Sequence, residues 1–199
     1  AAGGLADNAV RLWHVASAKP INALQGHTKR VTSVAFSPDG ALLASAALDS
    51  TFRLWRVPDG EPMRTQEIHR HRPVWKVTFS PDGEVLSAGT SLSEIWLWRV
   101  ADGDLLRALE VQTGQIYGMT FSPEGNLLVA TSTNKRTDGI WRVKYGHLEC
   151  IIEGEEWDIT NVTFSWDATL LASGARHGTV WLWSDRLFQQ AVVIEGLGH

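Results

Sequence analysis

Cysteine is almost absent: Cys150 is the only one in 199 residues, so no disulfide can form within the chain. A reducing compartment, the cytoplasm, is therefore the expectation. No apolar run approaches the length of a membrane span, and the N-terminus lacks a signal-peptide pattern, so no membrane association is expected. Positive charge is scarce: 18 Lys and Arg face 22 Asp and Glu, a net charge of −4. A nucleic-acid-binding surface normally carries a basic balance, so no nucleic-acid partner is expected. Gly-rich phosphate loops, a Ser nucleophile elbow and a His-Glu-x-x-His pair are also missing. No catalytic residue and no cofactor is assigned, and the chain reads as a non-enzyme. Apolar residues at 44% and charged residues at 20% are ordinary for a globular protein, with length enough to bury a core.

What the chain does have is tryptophan, ten in all, and a fixed spacing. An apolar strand ending in Trp recurs at Trp13, Trp55, Trp98, Trp141 and Trp183, with separations of 42, 43, 43 and 42 residues. A turn recurs independently: Ser37-Pro38-Asp39-Gly40, Ser80-Pro81-Asp82-Gly83, Ser122-Pro123-Glu124-Gly125 and Ser165-Trp166-Asp167-Ala168, stepping by 43, 42 and 43. Two markers that hold one period along the chain define a repeat. Within it, Val31 to Phe36 and Leu42 to Ala46 alternate with period two and read as strands. In the turn between them Pro presets φ, Asp suits the next position and Gly accepts the positive φ that follows. A third strand from Thr51 to Val57 and a fourth near Pro62–Ile68 fill the period and leave no room for a helix.

The frame of Gly26-His27, a strand, Ser37-Pro38-Asp39-Gly40, a small-residue strand, Asp49 and a strand ending at Trp55 resembles the WD40 repeat family. The resemblance extends along the whole chain. It implies an all-β fold, a β-propeller of four-stranded antiparallel blades. Four full blades are expected at 28–70, 71–112, 113–155 and 156–199, after a partial blade at 1–27. The chain opens inside a second strand and closes at Gly198-His199, the start of another repeat. An excerpt of a larger propeller of about seven blades is the favoured reading, against five blades closing irregularly. The small residues Ala44 to Ala47 and Ala172 to Ala175 suit a sheet wedged between neighbours, and the marker Trp rings take structural roles between blades. No marker Trp is followed by the Asp of the family's Trp-Asp pair: His14, Arg56, Arg99, Arg142 and Ser184 stand there. Family members often hold a buried network of His, Ser or Thr, Asp and Trp. Here His27, Asp49 and Trp55 supply most of one, Ala46-Ala47 leave its hydroxyl unassigned, and His177 stands at the turn-Asp place of the last repeat. The implication is blades held more by apolar packing.

The candidates for chemistry are few. His69 and His71 flank Arg70; on a strand they would share a face, but no acidic or thiol cluster joins them, so they read as surface or structural and no metal is assigned. Cys150 has no neighbouring base. The acidic run from Glu153 to Asp158 reads as a solvated loop. Binding is the stronger reading. In WD40 propellers the face formed by loops leading into the first strand, and joining second to third, often docks partners. Alignment on Phe36, Phe79, Phe121 and Phe164 places Arg30, Pro73, Gln115 and Asp158 at that rim, with Thr32, Trp75, Tyr117 and Thr160 two positions on and Leu48 and Arg176 in the second-to-third loops. Trp157 is a further candidate. Arg, Trp and Tyr are enriched in interface hot spots. The expected function is a protein-interaction scaffold binding a protein or peptide, with the oligomeric state left open. The alternative is a regulatory or sensory module of a larger protein: the regular repeats resemble bacterial WD40 arrays, which are frequently attached to kinase, NTPase or protease domains.

Overall fold

The computed structural model describes residues 2–3, 7–68, 71–92, 94–110, 114–132, 137–144, 146–153, 159–176, 178–184 and 189–194, with backbone alone for 2–3, 137–138, 152–153 and 189–194. Every regular element among them is a strand. The first sheet has three: β1 (Ala2–Gly3), β2 (Val10–Trp13) and β3 (Pro20–Leu24). Four four-stranded sheets follow. They comprise β4 (Val31–Phe36), β5 (Leu42–Ala47), β6 (Thr51–Arg56) and β7 (Pro62–Glu67), then β8 (Val74–Phe79), β9 (Val85–Thr90), β10 (Glu94–Arg99) and β11 (Leu105–Glu110). The last two are β12 (Ile116–Phe121), β13 (Leu127–Ser132), β14 (Thr137–Arg142) and β15 (His147–Glu153), and β16 (Ile159–Phe164), β17 (Leu170–Ala175), β18 (Val180–Ser184) and β19 (Gln189–Ile194). In each sheet, spatial order follows chain order, an antiparallel meander consistent with the partial propeller implied by the repeat. Among the described residues no helix is long and apolar enough to cross a membrane.

The chain divides into two compact units, Ala1–Ser91 with Trp96–Leu106, and Leu92–Ile95 with Arg107–His199. In the first unit neighbouring sheets meet through their first strands, β4 lying against β8. The Thr32 hydroxyl donates to the Val74 carbonyl at 2.6 Å, and the Val77 N–H reaches the Ser33 hydroxyl at 3.3 Å. Small residues permit this approach: Ala44, Ser45, Ala46 and Ala47 of β5 are all fully buried. Trp55 packs with Val10, Leu12, Leu24 and Leu43, bridging the first two sheets. Trp98 takes the same place one sheet on, its ring centroid 4.7 Å from that of Phe52.

The second unit repeats this packing. Trp183 and Trp181 lie with Val129, Ile140 and Ile159 in one apolar cluster. Gly118 on β12 approaches β16 so closely that an added Cβ would sit 3.1 Å from the Asn161 Cα and 2.7 Å from the Thr131 hydroxyl. Trp141 is buried as well. Trp13 differs from the other four marker rings: it is 40% exposed and belongs to none of these clusters.

The recurring turns are held by their own side chains. Ser37 donates its hydroxyl proton to the Asp39 carboxylate at 2.5 Å and accepts the Leu42 N–H at 2.9 Å, while Asp39 also caps the Ala41 N–H at 3.0 Å. Asp82 and Asp167 do the same work in their turns. In the third turn Glu124 replaces Asp, and Ser122 turns instead to the Asn126 side chain at 2.8 Å. The residue closing each turn is left-handed: Gly40, Gly83 and Gly125 have φ of 71°, 75° and 73°, and Ala168 is forced to 58°. A Cβ in that region costs about 1–2 kcal/mol, and glycine's larger unfolded-state entropy offsets about 0.5–1 kcal/mol of the gain from removing it. Ala168→Gly is therefore expected to stabilise the protein by about 0.5–1 kcal/mol, read from urea unfolding. A loss of stability would mean the turn is not strained.

Candidate functional site

The best-preserved repeat carries a buried chain of hydrogen bonds. Trp55 can only donate, and its indole N–H reaches the Ser45 hydroxyl oxygen at 2.8 Å. Ser45 then donates to His27 Nε2 at 2.8 Å, and His27 Nδ1–H donates to Asp49 at 2.9 Å. Asp49 also accepts from the Thr28 N–H at 2.9 Å, from the Thr51 N–H at 3.1 Å and from the Thr51 hydroxyl at 2.7 Å. The run closes with a neutral imidazole, a tautomer assigned from its partners. Burial holds the His27 pKa below the ordinary histidine value and outweighs the opposing pull of Asp49. For Asp49 burial acts the other way and raises the carboxyl, but donors from Thr51, Thr28 and His27 prevail and its pKa lies below the ordinary carboxylate value.

This assigns the hydroxyl that Ala46-Ala47 left open in the sequence. Ser45 supplies it, because the strand pairing sets Ser45 opposite Val34 and Arg53 and brings it within reach of the Trp55 indole N–H. Ser173 and Trp183 keep one link of the same chain at 2.8 Å. The corresponding positions on β9 and β13 are Ala88 and Ala130, which have no hydroxyl to offer. His177 lies outside the described residues. The network is a buried structural device, and the candidate site lies beside it at the ends of the strands.

There the first strand of each four-stranded sheet carries a bulge. Val31 pairs with Ala47 and Ser33 with Ala46, so Thr32 is the extra residue. The same shift falls between Val74 and Lys76, Ile116 and Gly118, and Ile159 and Asn161, making Trp75, Tyr117 and Thr160 its counterparts. A bulged residue leaves the ladder and is re-aimed, a feature enriched at sheet ends and beside functional sites. Periodicity alone gave no sign of it.

In the first unit the rim residues come together. The exposed Arg30 guanidinium lies over the Trp75 ring, 5.7 Å from its centroid. Leu48 N–H donates to the Arg30 carbonyl at 3.0 Å, and Ser91 N–H to the Pro73 carbonyl at 3.1 Å, closing both strand ends. Thr32 gives its one hydroxyl proton to the Val74 carbonyl of the next sheet at 2.6 Å, with the Ala46 carbonyl of its own sheet 3.1 Å away, so it joins sheets rather than facing a partner. In the second unit Thr160 similarly bonds the Gly174 carbonyl at 3.3 Å, Gln115 and Tyr117 are half-buried, and Arg176 is exposed. Asp158 and Trp157 lie outside the described residues.

Among the described residues the remaining candidates show no reactive arrangement. His71 sits in a loop with φ of 52°, not on a strand, and pairs with Glu67 at 2.7 Å. His69 and most of the acidic run lie outside the described residues. Burial raises the Cys150 thiol pKa, with the Glu149 charge adding to it, which disfavours a nucleophilic thiolate. Among the described residues no three His, Cys, Asp or Glu side chains gather as metal ligands.

A four-stranded meander with a Trp-terminated third strand and a Gly-His-led network defines the repeat class. The family model for the WD domain, G-beta repeat, matches residues 18–56, 60–99, 103–143 and 146–184, and the chain belongs to the WD40 family. It is similar to Cell division cycle 20.6, cofactor of APC complex, of Arabidopsis thaliana: 48% identical over 64 residues, 32% of this chain and 15% of that protein. Pre-mRNA-processing factor 19 of Bos taurus is 39% identical over 66 residues, 33% of this chain and 13% of its own length. Ribosome assembly protein 4 of Saccharomyces cerevisiae is 43% identical over 60 residues, 30% of this chain and 12% of its own. The matched stretch is thus a small part of each relative.

Proposed function

We propose that this chain is a non-catalytic protein-interaction scaffold whose contact surface is the rim of the first unit. The observation that carries this reading is the Arg30–Trp75 pair, a charged side chain held over an aromatic ring contributed by the next sheet. Arg and Trp are the residue types that dominate interface energies, and a side chain already fixed loses less entropy on binding. The sheet-joining Thr32–Val74 hydrogen bond ties the two sheets that carry the pair. The relatives support the same class of role: one is described as a cofactor of a complex and another as an assembly protein.

The test is to isolate partners with the full chain, identify them by mass spectrometry, and titrate the purified pair by calorimetry. Arg30→Ala is expected to weaken binding about tenfold or more, with an unchanged melting temperature. Equal affinity of Arg30→Ala and the parent chain for every partner would remove the rim from the function.

A further inference from the structure

The two ends of the first unit differ in charge, and the difference lies in which charges are already engaged. At the rim Asp49 is buried and enclosed by His27, Thr28 and Thr51, Asp7 is paired with Arg11, and the exposed Glu67 is hydrogen-bonded to His71. Lys29 and Arg30 are exposed there and have no carboxylate partner among the described residues. The cation–π contact fixes Arg30 without neutralising it. At the opposite end, the turns at 37–41, 57–61, 80–84 and 100–104 contain seven carboxylates, with Lys19, Arg56, Arg64, which lies against Gly103, and Arg99 the cations near them. Two of those cations are consumed locally, Arg56 by Asp59 and Arg99 by Asp102, each at 2.6 Å.

We infer that the rim of the first unit binds an acidic peptide segment of its partner, with the Arg30 guanidinium, set on Trp75, and the neighbouring Lys29 receiving its carboxylates. The inference rests on the rim being the contact surface. Charge complementarity carries it: an acidic segment meets uncompensated cations at the rim and repulsion at the turn end. A planar guanidinium matches a carboxylate with two parallel N–H donors, so the contact is directional as well as electrostatic. Nucleic acid fits less well. Its affinity comes from many phosphate contacts, whereas the rim offers a few cations on a chain of net charge −4.

The test is fluorescence anisotropy with the full chain and three probes: a short labelled Glu/Ser peptide, the matching Lys/Ser peptide, and oligothymidine of equal length. The Glu/Ser peptide is expected to bind saturably and more weakly as salt rises, since screening acts on exposed pairs. Lys29→Glu with Arg30→Glu is expected to weaken it about tenfold or more, Lys29→Gln with Arg30→Gln somewhat less, and Glu61→Gln not at all. Near-UV circular dichroism of the tryptophans checks each variant's packing, and the Gln pair replaces the Glu pair if the latter misfolds. No binding of the Glu/Ser peptide, binding indifferent to the rim substitutions, or tighter binding of oligothymidine would overturn the inference. If Arg30→Ala still weakens an identified partner while the Glu/Ser peptide fails, the rim stands and its acidic chemistry is wrong.

Discussion

Trp55→Ala is expected to destabilise the protein by about 3–5 kcal/mol, the range for emptying a buried aromatic site. The ring is 1% exposed and fills the space between the first two sheets against Val10, Leu12, Leu24 and Leu43. Neighbouring strands cannot collapse into the gap without breaking their ladders. Trp55→Phe separates packing from hydrogen bonding: it keeps most of the apolar contact but strips Ser45 of its indole donor, with an expected further loss of about 1 kcal/mol. Urea unfolding of both variants measures this directly. Equal and small losses for the two would show that the ring is not what joins the sheets.

Asp49→Ala is expected to cost about 2–4 kcal/mol, because it leaves the donors of His27, Thr28 and Thr51 without their acceptor in a site where the carboxylate side chain is only 5% exposed. The same group shapes the acid response. The folded state holds His27 below its ordinary value of 6.5, so the unfolded state takes up the proton first. Stability therefore falls as pH drops from about 6.5 through the lower, folded-state value. Asp49, also lowered, contributes stability above its ordinary 3.8 that is lost as pH falls from there through its folded value. Asp49→Ala removes the second step and deepens the first, since a protonated imidazole would no longer meet a carboxylate. Thermal melts across pH 7.5 to 5.5 are the measurement, with His27→Gln as control: its slope is expected to be the flatter. A steeper slope for His27→Gln than for the parent would sink the account of a buried neutral histidine.

Some of this is readable in the chain itself and some is not. The Ser-Pro-Asp-Gly turns and the alternating strands are local features. A Pro that presets φ, a Gly that accepts positive φ and a two-residue period act over a handful of residues. That is why the Val31–Phe36 strand is placed correctly from sequence, and why Trp166 and Ala168 stand out as departures in the last turn. The hydroxyl of the buried network stays unassigned in the sequence for a matching reason. Its place depends on strand register, and register is decided by how β4, β5 and β6 align, not by the residues nearest in sequence.

The sequence by itself determined the repeat, the all-β class, the turns and which tryptophans end their strands, because each follows from local conformational preference repeated at one period. Only the tertiary structure decided that Thr32 and Trp75 bulge out of their ladders, that Thr32 is used up joining sheets, and that Arg30 lies on a ring 45 positions away. It also decided which charges share an end and which are already paired. These are relations between segments far apart in the chain, and only their packing brings them together.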